Sequence, residues 1–198
     1  MQMQMNVKDS VSFLSQEAIE SIALYFLTSY FAAKNNPFFP PIPVDVILEK
    51  HLKSSLGFGD LHKMLDVPRK GIEPDVLGAL WVDSGEVLID EYLDPDIDPT
   101  KEGRFRFTVA HEIGHWELHR AQLLRWSHQD GPSKRSPTVV CRASQAKERI
   151  EWQADQFSSC LLMPRHLVLG AWKARFGNLE PLYQRPSVLT RWRFPSRC

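Results

Sequence analysis

Phe105, Val109, Ile113 and Trp116 recur at spacings of four, four and three, the period of one face of an α-helix. This stripe commits about Thr100 to Arg120 to a helix buried along one side, and the rest of the chain must fold around it. Its start is marked by Asp98, with Pro99 at the first helical position, or by Thr100 as an alternative cap. A second period follows between about Gln145 and Leu162, where Ile150, Ala154, Phe157 and Leu161 lie four, three and four apart before Pro164 ends the run.

Upstream, Ser15 is placed to cap a helix to about Lys34, with Ile19, Ile22, Ala23, Phe26 and Leu27 on its apolar side. The proline-rich Asn35 to Pro43 breaks it, and an apolar period resumes from Val44 to Leu56 as a second helix. Val76 to Val82 and Val87 to Ile89 are β-prone runs joined by Asp83-Ser84-Gly85-Glu86, which predicts an antiparallel hairpin. Ser127 to Ser144, with Gly131, Pro132, Pro137 and the basic pair Lys134-Arg135, reads as a surface loop. The fold class expected is α+β: N-terminal helices, a small antiparallel or mixed sheet, and a central helix. A domain over 1–170 is expected, followed by a short tail over 171–198 in which Ala171 to Phe176 can be helical and Pro181, Pro186 and Pro195 fragment the rest.

The central helix also carries His111-Glu112-Ile113-Gly114-His115. Histidines four apart on a helix lie about 40° apart around the axis and one turn apart along it, so both imidazoles reach one ion. A glutamate beside the first histidine is placed to take a proton from a water acidified by that ion. A catalytic zinc site uses three protein ligands. Candidates for the third are Glu117, His119, Glu148 and Glu151. His119 lies about 12 Å along the axis from His111, too far to share an ion with it, and Glu117 points away by helical phase. That leaves the following helix, where Glu151 precedes Asp155 by one turn. The pair suits a ligating carboxylate and a second carboxylate that orients a metal-bound histidine through its free N–H.

Charge sets bounds on partners. The chain holds 24 basic and 24 acidic residues, which gives no global attraction to nucleic acid or to a membrane surface. The balance conceals a segregation: residues 71–102 carry ten acidic and one basic side chain, and residues 120–149 seven basic and two acidic. Cys141, Cys160 and Cys198 are odd in number and form no CxxC pair, against a disulfide framework and for a reducing compartment. The start, Met1-Gln2-Met3-Gln4-Met5, lacks the basic opening of a secretory signal, and the apolar run Ile19 to Ala33 is too short to span a bilayer. A cytoplasmic protein is expected.

Pro41-Ile42-Pro43-Val44, then Arg104-Phe105-Arg106-Phe107-Thr108-Val109-Ala110 leading into the HExxH run, then Ile150-Glu151-Trp152-Gln153-Ala154-Asp155-Gln156-Phe157 with Leu161-Leu162-Met163-Pro164 resemble, in order, the ImmA/IrrE family of metallopeptidases over about residues 15–170. The resemblance implies a zincin-like domain with zinc held by His111, His115 and Glu151 and catalysis by Glu112. It also implies a cytoplasmic protein substrate, such as a helix-turn-helix repressor of the XRE type. The loop before Glu151 is longer and more basic than the family pattern, and the chain ends soon after Arg191-Trp192-Arg193-Phe194-Pro195, where many relatives continue into a helical region; no DNA-binding role is carried over. The rival reading is a non-enzymatic antirepressor that captures a transcription factor with zinc in a structural role. An intact Glu112 favours the enzyme, because a structural site has no need of a base there. Tyr92 and His128 are candidate stabilisers of the oxyanion, each more readily explained as structural.

Overall fold

The computed structural model describes residues 11–35, 40–69, 71, 73–129, 136–142 and 148–178. The opening Met-Gln repeat, Lys134-Arg135, Cys198 and the tail from 179 onward lie outside them. The chain divides after Pro164 into two compact units.

The first unit begins with helix α1, Gln16–Ala33, capped by the Ser15 hydroxyl accepting from the Ala18 amide and buried through Ile19, Ala23, Phe26, Leu27, Tyr30 and Phe31. After the prolines, the expected second helix is cut short. Val44–Val46 (α2) widens into a π-helical turn over Ile47–His51. Ser55–Gly59 then forms strand β1, where sequence reasoning extends the helix to Leu56. A single turn, Leu61–Met64 (α3), capped by Asp60, leads to strands β2, Val76–Trp81, and β3, Glu86–Asp90. These two form the expected antiparallel hairpin, with Leu80 opposite Val87 and Gly78 opposite Ile89.

The sheet has the order β1-β3-β2-β4, with β1 parallel to β3 and β4, Val139–Arg142, antiparallel to β2. Strand β4 corrects the reading of Ser127 to Ser144 as loop: Val139 and Cys141 turn inward from its middle. The register between β2 and β4 slips around Leu77, since Val76 faces Arg142 while Gly78 already faces Cys141. A bulge of this kind bends the strand locally and re-aims its side chains.

The central helix α4 runs over Glu102–Gln129, entered through a 3₁₀ turn at Pro99–Lys101. Of the two caps considered, Asp98 serves the entry turn, its carboxylate accepting from the Thr100 amide at 3.0 Å and hydroxyl at 2.6 Å. The helix continues nine residues past the expected end at Arg120 because Leu123 is fully buried with Val11, Val82, Val139 and Ile150, and Leu124 and Trp126 pack on the same cluster. Phe105, Val109 and Ile113 enter the main core. Trp116, the last residue of the stripe, is half-buried, with the Arg120 guanidinium 4.5 Å from its ring.

Helix α5, Arg149–Leu162, packs along α4 and α1 and buries Ile150, Ala154, Phe157 and Leu161 as its period predicts. Gly114 allows the close approach of the two helices, because a Cβ built there would lie 3.1 Å from the Cα and carbonyl oxygen of Ala154. The architecture is therefore α+β, with α4 packed against both the sheet and α5. The second unit holds helix α6, Arg165–Phe176, with Trp172 and Phe176 rings 4.4 Å apart and Gly177 at φ +78° ending it. No helix of the described residues is long and apolar enough to cross a membrane.

Candidate metal centre

Two faces of α4 and one of α5 build the site. His111, His115 and His119 fall on the side of α4 that meets α5, and all three are buried. Glu112 turns toward the sheet: a Cβ built on Gly78 of β2 would lie 2.6 Å from its Oε1. The missing side chain at residue 78 is what leaves space for this carboxylate.

The structure brings His111, His115 and Glu151 together, with one donor atom from each inside a sphere a metal ion can fill. His111 Nε2 lies 2.9 Å from His115 Nε2 and 3.1 Å from Glu151 Oε2, and His115 Nε2 lies 3.6 Å from Glu151 Oε1. Ligands at about 2.0–2.2 Å from a tetrahedral centre stand about 3.3–3.6 Å from one another, so the three separations bracket that spacing. Two imidazole nitrogens 2.9 Å apart in a buried setting need a proton or a metal ion between them. The donor set fits a divalent metal of the zinc kind, with imidazole and carboxylate ligands.

Partners behind the donors fix their orientation. Asp155 Oδ1 lies 2.9 Å from His111 Nδ1 and accepts its N–H, which leaves Nε2 turned toward the centre. Behind His115 stands His119, Nδ1 to Nδ1 at 3.2 Å, and behind His119 the side chain of Gln153 at 2.9 Å. Sequence reasoning weighed His119 only as a direct ligand and set it aside on distance. Its distance from His111 excludes it as a ligand, but its one-turn spacing from His115 puts it against that ring, and that spacing is the available signal. Gln153 gave none, since it is read as an ordinary polar residue of α5. Glu117 is exposed. Glu148 precedes α5 and is not one of the converging donors.

The electrostatics follow from burial. Both carboxylate oxygens of Glu112 are buried without a hydrogen-bond partner, and burial pushes its carboxyl up to about 8; the His111 charge works against this and that of Glu151 with it. Burial would also raise the Glu151 carboxyl, but His115 and His111 outweigh it and hold the group below its ordinary range. His119 is pushed down to about 3 by burial, with further lowering by His115, and is neutral. Glu151 Oε1 is likewise buried without a partner. A buried Glu112 carboxyl with neither oxygen hydrogen-bonded, beside a Glu151 oxygen in the same state, is a costly arrangement for a protein to hold.

The donors open onto a cleft of about 260 Å³ lined by Leu77, Arg104, Phe107, Thr108, His111, Cys141, Arg142, Glu151 and Asp155. Neither Tyr92 nor His128 is on its walls. The Tyr92 hydroxyl accepts from Lys101 Nζ at 3.0 Å, and His128 is exposed against Asp83 at 2.8 Å. Part of the charge segregation is met internally, since Arg142 of the basic block pairs with Asp75 of the acidic block at 3.5 Å; Arg104, outside both blocks, pairs with Glu73 at 2.9 Å. The acidic and basic blocks of the sequence thus meet at the rim of the cleft.

The model of the IrrE N-terminal-like domain, a peptidase family, matches residues 98–194. Over that stretch the chain is similar to this family. The match takes in the whole of α4 and α5, and with them His111, Glu112, His115, Glu151 and Asp155. No curated protein matches the chain. The IrrE N-terminal-like assignment gives the chain a metallopeptidase-like domain, and the three donors described above are the place on it where a metal can be held.

Proposed function

We propose that this chain is a zinc-dependent endopeptidase with His111, His115 and Glu151 as metal ligands and Glu112 as general base. The observation that carries this reading is the juxtaposition of three converging donors with a buried carboxylate that is not one of them and has no protein partner. A zinc ion held there would polarise a peptide carbonyl and make an adjacent water more acidic. Glu112 would take a proton from the attacking water and return it to the departing amine; burial raises its affinity for protons, to a pKa of about 8. Asp155 keeps the His111 ring in place through Nδ1. The cleft between β4 and α4 receives the substrate chain, with Phe107 and Leu77 offering apolar contact.

The substrate we infer is an intracellular regulatory protein, a helix-turn-helix repressor of the XRE type, in keeping with the resemblance noted from the sequence. The test is incubation of the purified chain with repressors encoded beside its gene, with and without a chelator, followed by intact mass. Cleavage at a defined bond that the chelator abolishes supports the reading. Tight repressor binding with no cleavage at any metal load transfers it to the antirepressor alternative.

A further inference from the structure

The contacts behind His115 specify where its proton resides. Gln153 is fully buried, and its Nε2 donates to the Ser12 carbonyl at 2.9 Å. That bond fixes the amide, so it is Oε1 that faces His119 Nε2 at 2.9 Å. An amide oxygen only accepts, so His119 carries a proton on Nε2, and an imidazole with a single ring proton then has a bare Nδ1. The bare Nδ1 lies 3.2 Å from His115 Nδ1, and a hydrogen bond exists there only if His115 carries its proton on Nδ1. His115 Nε2, the atom 2.9 Å from His111 Nε2, is then free to donate a lone pair. Each member of the chain Ser12, Gln153, His119, His115 constrains the next, across three elements that the fold brings together.

We propose that His119 is a positioning residue which, held by Gln153, fixes His115 in the Nδ1–H tautomer and so presents Nε2 as a ligand. The inference about the tautomer stands on the hydrogen bonds alone; its consequence for metal binding rests on the zinc-site reading above. Among the described residues no carboxylate stands behind His115 as Asp155 does behind His111, and the His119–Gln153 pair takes that place. Loss of an outer partner of a ligating histidine typically lowers metal affinity about 10- to 100-fold.

The experiment is nitrogen-15 NMR of the histidine rings in the metal-free chain, paired with zinc titration, on the parent and on His119→Leu, His119→Asn and Gln153→Met. In the parent, His115 should show protonated Nδ1 and bare Nε2. His119→Leu removes the acceptor, so His115 should populate the Nε2–H form and zinc affinity should fall about 10- to 100-fold. Gln153→Met leaves residue 119 intact but frees its proton to move to Nδ1, and should shift His115 in the same direction. His119→Asn restores an acceptor near the position of Nδ1 and should recover the tautomer and most of the affinity. A proton on Nε2 of His115 in the parent overturns the proposal. So does a His115 tautomer unchanged in His119→Leu and Gln153→Met alike, together with affinities within twofold of the parent; should His119→Leu fail to fold, an unchanged tautomer and affinity in the near-isosteric Gln153→Met overturns it by itself. If the parent takes up no zinc while the tautomers respond as described, the relay holds and the metal reading falls.

Discussion

Gly78→Ala tests how the fold makes room for Glu112, the proposed general base. A Cβ at that position would stand 2.6 Å from Glu112 Oε1 and 2.9 Å from Thr108 Cγ2, where ordinary contact begins near 3.4 Å. The carboxylate must therefore retreat by roughly 0.8 Å or β2 must move by as much. The obstructing atom is the end of a rotatable side chain, so the cost in stability should be that of modest overpacking, about 1–3 kcal/mol. The cost in rate should be larger, because a misplacement of about 1 Å at a reacting group can reduce turnover about 100-fold. With metal content matched, cleavage of a repressor that the parent cuts, followed by intact mass, should slow about 10- to 100-fold while zinc affinity stays near that of the parent. Cleavage within twofold of the parent, with the variant folded and metal-loaded, would refute the claim that Gly78 sets the position of Glu112.

Gly114→Ala puts a Cβ 3.1 Å from the backbone of Ala154; α4 and α5 must separate by a few tenths of an ångström, and thermal melting should show a loss of about 1–3 kcal/mol. Asp155→Ala removes the acceptor behind His111 and should weaken zinc binding about 10- to 100-fold in a titration. For the metal-free chain, the Glu112 carboxyl is raised from its ordinary 4.5 to about 8, so between those pH values the unfolded state is ionised while the folded state remains protonated. The stability of the parent relative to Glu112→Gln should then fall as pH rises from about 4.5 to about 8, by up to about 1.4 kcal/mol per unit, and level off above; denaturant midpoints measured across that range would expose a flat or opposite trend.

The elements with strong, uninterrupted periods were legible in the sequence: α1 through Ile19 to Leu27, α5 through Ile150 to Leu161, and the hairpin around Gly85. Strand β1 was hidden because Gly57 and Gly59 dilute its β character and because the apolar period from Val44 runs into it. Strand β4 was hidden by its neighbours, since four residues beside Pro137 and a basic stretch carry too little signal, and β4 is held by pairing with β2 rather than by its own propensity. The extension of α4 past Arg120 depends on Leu123 meeting Val11 and Val139, contacts distant in sequence. At the site, helical phase sufficed to propose His111, His115 and Glu151, while the support behind His115 depends on Gln153 reaching both His119 and Ser12, which no spacing rule along one element encodes.

The most direct measurement of the central claim is the Glu112→Gln variant, assayed for bound zinc, melting temperature and repressor cleavage side by side. Gln preserves shape and removes the basic carboxylate, so metal content and fold should be retained while cleavage drops by at least about 10²- to 10⁴-fold. A variant that relieves repression in cells as well as the parent, with the repressor intact in both, would contradict the peptidase account and identify a binding protein in its place.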